Sequence, residues 1–377
     1  MHSAENGTRI CNGKTGKMAD TLKALTWRQS GVNHVLKLLP GEKIGTLSAE
    51  IEQEVRESGG KISEKVKAIR AGNIPEIRRL QKPEGKDITS VPIRQWEAEL
   101  AGKGGNIPVT FCRPETEKEA RGCVLYFHGG GFQYGNRENV QPVCRYLSEQ
   151  ADVLVVNPEY RLAPEHKWPA GFEDCWSVLL WVYDHAEELM IDRHRITVAG
   201  DSAGGNLAAL CSHKDRNGRT GMISKQILYY AALAVRETEG LPEFHFDLND
   251  YICDDSEKAL IEPRIQAIYL ASKRGMGGYV PEGTDTRRAD ISPLWDSDFG
   301  RLPETLLITA QYDYLTQQSR AYALKLAAEK VPVTLINYCG VAHAFVDRCG
   351  IYPQADDSIR EAAEFLKRNK ENCDDRI

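Results

Sequence analysis

From about Pro108 onward, short apolar runs alternate with helix-length amphipathic stretches. This is the pattern of a mainly parallel sheet with helices on both faces. Six runs predict strands, at 123–128, 153–157, 195–199, 226–231, 305–310 and 333–338. Each is β-branched or aliphatic and about five residues long, as strands buried on both faces are. Helical stretches fall between them, as at 171–188, 318–329 and 356–368. An antiparallel opening is predicted for 91–97 and 107–113, joined through the turn-forming Lys103-Gly104-Gly105-Asn106.

Two regions break the rhythm. Residues 1–87 carry helix-like spacings (Ile51 and Val55; Ile62, Val66 and Ile69) and predict no strand. Residues 236–296 form an insertion too long for a plain loop, with a helix expected at 263–273. Helical additions beside a sheet's carboxyl edge make lids over sites. The expected organisation is therefore an N-terminal extension contributing to a cap (1–87), a first core segment (88–235), a cap insertion (236–296) and a second core segment (297–377).

Composition narrows the function classes. At 377 residues, with 41% hydrophobic and 27% charged residues, the chain can bury a large core. A net charge of −6 argues against a surface that tracks nucleic-acid phosphates. No apolar run reaches the length of a membrane span, and residues 1–20 lack the apolar stretch of a secretory signal. A cytoplasmic location without membrane attachment is expected. The ten cysteines are scattered with no C-x-x-C pair, so they are read as reduced and structural, with no metal site.

Gly200-Asp201-Ser202-Ala203-Gly204 fits G-x-S-x-G between a predicted strand and a helical run at 205–213. That strand–turn–helix setting is what a nucleophile elbow requires, and Ser202 is the candidate nucleophile. The bland reading is a glycine-rich turn capped by a serine. His128-Gly129-Gly130-Gly131-Phe132 follows the apolar strand residues 123–127, 74 residues before Ser202. Three glycines let backbone amides point at a carbonyl oxygen that gains negative charge, so Gly130, Gly131 and Ala203 are expected to form an oxyanion hole. A phosphate-cradling loop is the rival, but the continuations G-x-x-x-x-G-K-[ST] and G-x-G-x-x-G are lacking.

The base follows from chain order, which in this arrangement runs serine, acid, histidine. Of nine histidines, three follow Ser202: His213, His245 and His343. Only His343 follows the last predicted strand, so it is the candidate base. The acid is expected just past the preceding strand, which places it at Asp313. Asp296 and Asp298 precede that strand, Asp347 is too close to His343 in the chain, and Asp201 is read as a brace of the elbow. Arg161 and Glu165 are read as packing and salt-bridge elements near the oxyanion loop.

Together with Tyr160-Arg161-Leu162-Ala163-Pro164-Glu165, Gly205-Asn206 and Ile291-Ser292-Pro293-Leu294, these motifs resemble the hormone-sensitive lipase family of α/β-hydrolases over residues 107–366. The resemblance implies an α/β-hydrolase fold, with a mostly parallel central sheet flanked by helices and a helical cap. It also implies a carboxylesterase or acetyl esterase acting on short acyl esters, with no metal and no organic cofactor. The expected partner is a small-molecule ester, not nucleic acid or membrane, with self-association into a homo-oligomer left open. An amide or sugar-acetate substrate, or a non-catalytic receptor, are the alternatives. Three features depart from the family pattern: Tyr314 follows the acid where relatives have Pro, Ala344 follows His343 where they have Gly, and residues 1–87 match no family pattern.

Overall fold

The computed structural model describes residues 9–10, 22–57, 63–115, 121–236, 238–274 and 278–368. Both predicted antiparallel strands form, as β4 (Ile93–Gly102) and β5 (Gly105–Pro114). The six predicted core strands follow as β6 (Arg121–Phe127), β7 (Leu154–Pro158), β8 (Ile191–Asp201), β9 (Ile223–Tyr229), β10 (Glu304–Tyr312) and β11 (Val333–Ala342).

The strands bury both faces, and alternate residues serve different layers. In β6, Cys123, Leu125 and Phe127 join one apolar cluster, while Val124 and Tyr126 join the other. The first cluster is completed by α5 (Ala170–Asp184), α6 (Ala203–Gly218) and α8 (Leu315–Ala328). The second is completed by α4 (Gln141–Ala151) and α9 (Pro353–Lys367).

The region before residue 87 corrects the expectation of a strandless segment. It holds a short β1 (Arg9–Ile10), then β2 (Lys23–Gln29) and β3 (Val32–Leu38), followed by α1 (Ala49–Glu57), α2 (Glu64–Ala71) and α3 (Ile74–Arg79). β2 and β3 pair through Ser30-Gly31, both at positive φ (50° and 80°), which suits a two-residue hairpin turn. β3 then lies parallel to β11, so the hairpin extends the sheet. Its apolar alternation is broken because Lys37 is buried, held by Asp357 at 3.0 Å and Glu361 at 2.5 Å on α9. Trp27 on β2 is exposed, which breaks the pattern further.

Among the described residues the sheet runs β1-β2-β3-β11-β10-β9-β8-β6-β7-β5-β4. The strands from β3 to β7 in that order are parallel to their neighbours, and the pairs outside them are antiparallel. The helix expected at 263–273 is the C-terminal part of α7 (Lys258–Lys273), which begins five residues earlier. The insertion and the N-terminal region touch: the Leu47 amide donates to Glu257 at 2.6 Å, and the Asp254 amide donates to the Gly45 carbonyl at 2.9 Å. No helix among the described residues is long and apolar enough to cross a membrane. The described cysteines are free thiols, and all but Cys253 are buried.

Candidate active site

β8 ends at Asp201 and α6 begins at Ala203, leaving Ser202 alone in the bend. Its backbone is strained, with φ 53° and ψ −114°, a conformation that surrounding structure must impose on a residue with a side chain. Two hydrogen bonds do so. The Ser202 amide donates to the Tyr229 carbonyl at 2.9 Å, and its carbonyl accepts from the Ala232 amide at 3.0 Å. The flanking glycines are required sterically: a Cβ on Gly204 would collide with the Phe127 carbonyl, and one on Gly200 would lie 2.5 Å from Gly204 backbone. Asn206 on α6 donates to the Ala232 and Ile291 carbonyls at 2.8 and 3.1 Å, tying the elbow to the Ile291-Ser292-Pro293-Leu294 stretch.

The acid and base arrive on the two neighbouring strand ends. Asp313 is the first residue beyond β10 and His343 the first beyond β11. His343 Nδ1 lies 2.7 Å from Asp313 Oδ2, and His343 Nε2 lies 3.0 Å from Ser202 Oγ. Asp313 is 0% exposed, and its other oxygen accepts the Leu315 amide at 2.9 Å. Burial works against charge on His343. The Asp313 charge and hydrogen bond, with a contribution from Asp347, outweigh it and raise the imidazole pKa. The Tyr230 ring meets His343 edge-on with centroids 4.9 Å apart.

The glycine loop after β6 faces the elbow. Gly130 and Gly131 have φ of 118° and 59°. A Cβ on Gly130 would run into the Tyr134 carbonyl. Among the described residues, the amides of Gly130, Gly131 and Ala203 have no hydrogen-bond acceptor. His128 is no base here: burial lowers its pKa, its ring stacks on Tyr160 at 4.2 Å, and Tyr160 donates to its carbonyl at 2.6 Å. Asp201 braces the same loop, accepting from the Gly129 amide at 3.0 Å and the Tyr126 hydroxyl at 3.3 Å. Burial pushes its carboxyl up to about 7.

The other histidines and carboxylates lie elsewhere. His213 is buried against Asp296 at 2.7 Å and the Tyr322 hydroxyl at 3.0 Å, and His245 is exposed beside Asp250. Among the described residues no group of three or more His, Cys, Asp or Glu could hold a metal ion. Arg161 and Glu165 form salt bridges, as the sequence led one to expect, but their partners, and the contacts of Tyr251 and Tyr314, could not be read from the chain. Arg161 pairs with Asp174 and Glu165 with Arg78, on α3. Tyr251, from the insertion, donates its hydroxyl to the Asp313 carbonyl at 3.2 Å. Tyr314, at the position where relatives have Pro, packs edge-on against Phe244, Phe246 and Tyr269 of the insertion.

A family model described as α/β hydrolase fold matches residues 124–347, a span holding Gly130, Gly131, Ser202, Ala203, Asp313 and His343. The chain belongs to the hormone-sensitive lipase family of α/β-hydrolases. This hydrolase is 31% identical over 300 residues to a carboxylesterase, NlhH, of Mycobacterium tuberculosis, covering 78% of this chain and 84% of that one. It is 28% identical over 272 residues to an ethyl acetate hydrolase of Pseudomonas putida, covering 71% and 80%. Among solved structures it resembles a hyperthermophilic esterase from the archaeon Pyrobaculum calidifontis, at TM-score 0.68 and 28% identity over 85% of this chain and 98% of that one.

Proposed function

We propose that this carboxylesterase-type hydrolase cleaves short-chain acyl esters, acetyl to hexanoyl, through an acyl-enzyme on Ser202. One observation carries the reading: the unbroken relay from Ser202 Oγ through His343 to Asp313, at 3.0 and 2.7 Å. In the tautomer that donates Nδ1–H to Asp313, His343 Nε2 accepts the hydroxyl proton as Oγ bonds to the ester carbonyl carbon. The carbonyl electron pair moves to oxygen, where the amides of Gly130, Gly131 and Ala203 receive it. Collapse of that intermediate breaks the bond to the alcohol, which leaves with the proton from Nε2. Water then attacks the acyl-enzyme, gives its proton to Nε2, and Ser202 recovers the proton as the acid departs.

The relative named an ethyl acetate hydrolase supports a small acyl group. In this reading the N-terminal region beyond the β2–β3 hairpin and the insertion together cover the pocket, supported by the bonds between Gly45–Leu47 and Asp254–Glu257. The ligand is a small ester, and neither metal nor organic cofactor takes part.

A fluorophosphonate labels nucleophilic serines, and peptide mapping locates the adduct. One adduct at Ser202 is expected, with Ser202→Ala losing on the order of 10⁶ in kcat while keeping its circular dichroism. p-Nitrophenyl esters from acetyl to decanoyl should be turned over fastest at the short end. Labelling at another residue, or turnover in the alanine variant, would end the acyl-enzyme reading.

A further inference from the structure

We propose that Arg78, on the N-terminal helix α3, is a positioning residue that sets the oxyanion loop, so that the region outside the family's motifs helps build the acyl-transfer site. The proposal rests on the acyl-enzyme reading above. Its basis is the set of partners around one guanidinium. Arg78 Nε donates to the Gln133 carbonyl at 2.7 Å, and Nη2 donates to the Ala163 carbonyl at 2.8 Å. Nη1 and Nη2 also grip the two oxygens of Glu165, both at 2.9 Å.

These are the two strips of chain that frame the loop. The Gln133 and Tyr134 amides donate to the Gly130 carbonyl at 3.1 and 3.0 Å, so Gln133 closes the turn that aims the next amide, that of Gly131. The Ala163 amide donates to the Phe132 carbonyl at 2.8 Å, so the second strip is bonded to the same turn from its other side. Arg78 bridges the strips. Its own place is fixed because Asn73 caps α3 and Ile77 is buried next to it in the chain. Only a guanidinium offers a flat fork of donors able to reach two carbonyls and both carboxylate oxygens at once. Lysine would supply the charge without that geometry.

The function of such a bridge is separable from general stability. An oxyanion hole works only if its donors already stand where the charge will develop. A loop allowed to relax should therefore bind ester in the ground state about as well while losing rate. Arg79 is the internal control, since among the described residues it pairs along the helix with Glu76 alone.

The experiment measures kcat and KM on p-nitrophenyl butyrate, the rate of phosphonate labelling at Ser202, and the melting temperature, in wild type and in Arg78→Met, Arg78→Lys, Arg78→Ala and Arg79→Met. For Arg78→Met, kcat should fall roughly 10- to 100-fold, below the loss of a whole donor, with KM within about twofold. Phosphonate labelling should slow in parallel, because its adduct uses the same amides. Arg78→Lys should lose kcat in the same direction, Arg79→Met should keep wild-type values, and millimolar guanidinium should restore part of the rate to Arg78→Ala. Wild-type kcat in Arg78→Met or Arg78→Lys, or a rise in KM alone, would overturn the proposal. If Arg78→Met fails to fold, Arg78→Lys and the guanidinium rescue decide it. A wild-type enzyme labelled away from Ser202 would instead sink the acyl-enzyme reading, an outcome distinct from normal Ser202 labelling with an indifferent Arg78.

Discussion

Burial alone would lower the His343 pKa, yet the charge and hydrogen bond of Asp313, with the charge of Asp347, raise it above the usual 6.5. A base must be unprotonated to act, so kcat/KM should fall as pH drops through a value above 6.5. The sign has a second consequence. Protonation is favoured more in the folded than in the unfolded chain, so this group adds stability below the unfolded pKa, and that increment is lost as pH rises through the folded one. In Asp313→Asn the raising charge goes and burial remains, so the acidic limb of the residual activity should move to lower pH. Profiles of kcat/KM from about pH 5 to 9 check this, and an unmoved limb would assign the titration to another group.

Asp296 is shifted in the opposite direction. Burial opposes its charge, but hydrogen bonds from His213 and the Asp298 amide, with the charge of Arg216, hold its carboxyl well below the usual range. Here stability is present above the unfolded carboxylate pKa and is lost as pH falls. The Arg216 side chain is only 2% exposed and Asp296 is its nearer carboxylate, with Asp298 at 3.5 Å, so Asp296→Asn weakens the pairing of a buried cation and should cost about 3 kcal/mol. Urea unfolding at neutral pH would measure it, and a loss under about 0.5 kcal/mol, typical of a surface ion pair, would show that the buried guanidinium is satisfied without Asp296.

At the scale of elements, what could be read from the chain divides along burial. β6 to β11 were legible because strands buried on both faces need continuous apolar runs. The positions of Ser202 and His343 were legible for another reason: the elbow demands Gly200 and Gly204, and β11 is the last strand before His343. The β2–β3 hairpin was not, since a buried Lys37 and an exposed Trp27 destroy its alternation and only Ser30-Gly31 marks the turn. Arg78 left no trace in the pattern because two of its partners are main-chain carbonyls, which any residue carries. Removing residues 1–40 should therefore do more than trim a cap. It strips the cover from β11, the strand that delivers His343, and leaves Asp357 and Glu361 without Lys37. Light scattering should find association through the opened edge, with a lower melting temperature. A monodisperse protein with unchanged melting would show that the hairpin is dispensable to the sheet.

For the whole molecule, the layered core follows from alternation along buried strands, whereas the joining of its outer parts depends on contacts between distant segments. The Thr46 carbonyl accepts from the Tyr312 hydroxyl at 3.2 Å, and the Ser48 amide donates to the Gly340 carbonyl at 2.9 Å. Both contacts bring the N-terminal region to the strand ends that carry Asp313 and His343. β3 takes this furthest, since one of its neighbours in the sheet is β11, the last strand among the described residues. During synthesis the hairpin leaves the ribosome well before β11, which follows close to 300 residues later, on the order of 15–60 s at cellular elongation rates, and until then the hairpin has no docking place. Over that interval the segment lacks its sheet, and a two-stranded ribbon is marginal alone in water. The nascent chain, more than the finished enzyme, is thus the species open to edge-to-edge association with its neighbours on a polysome.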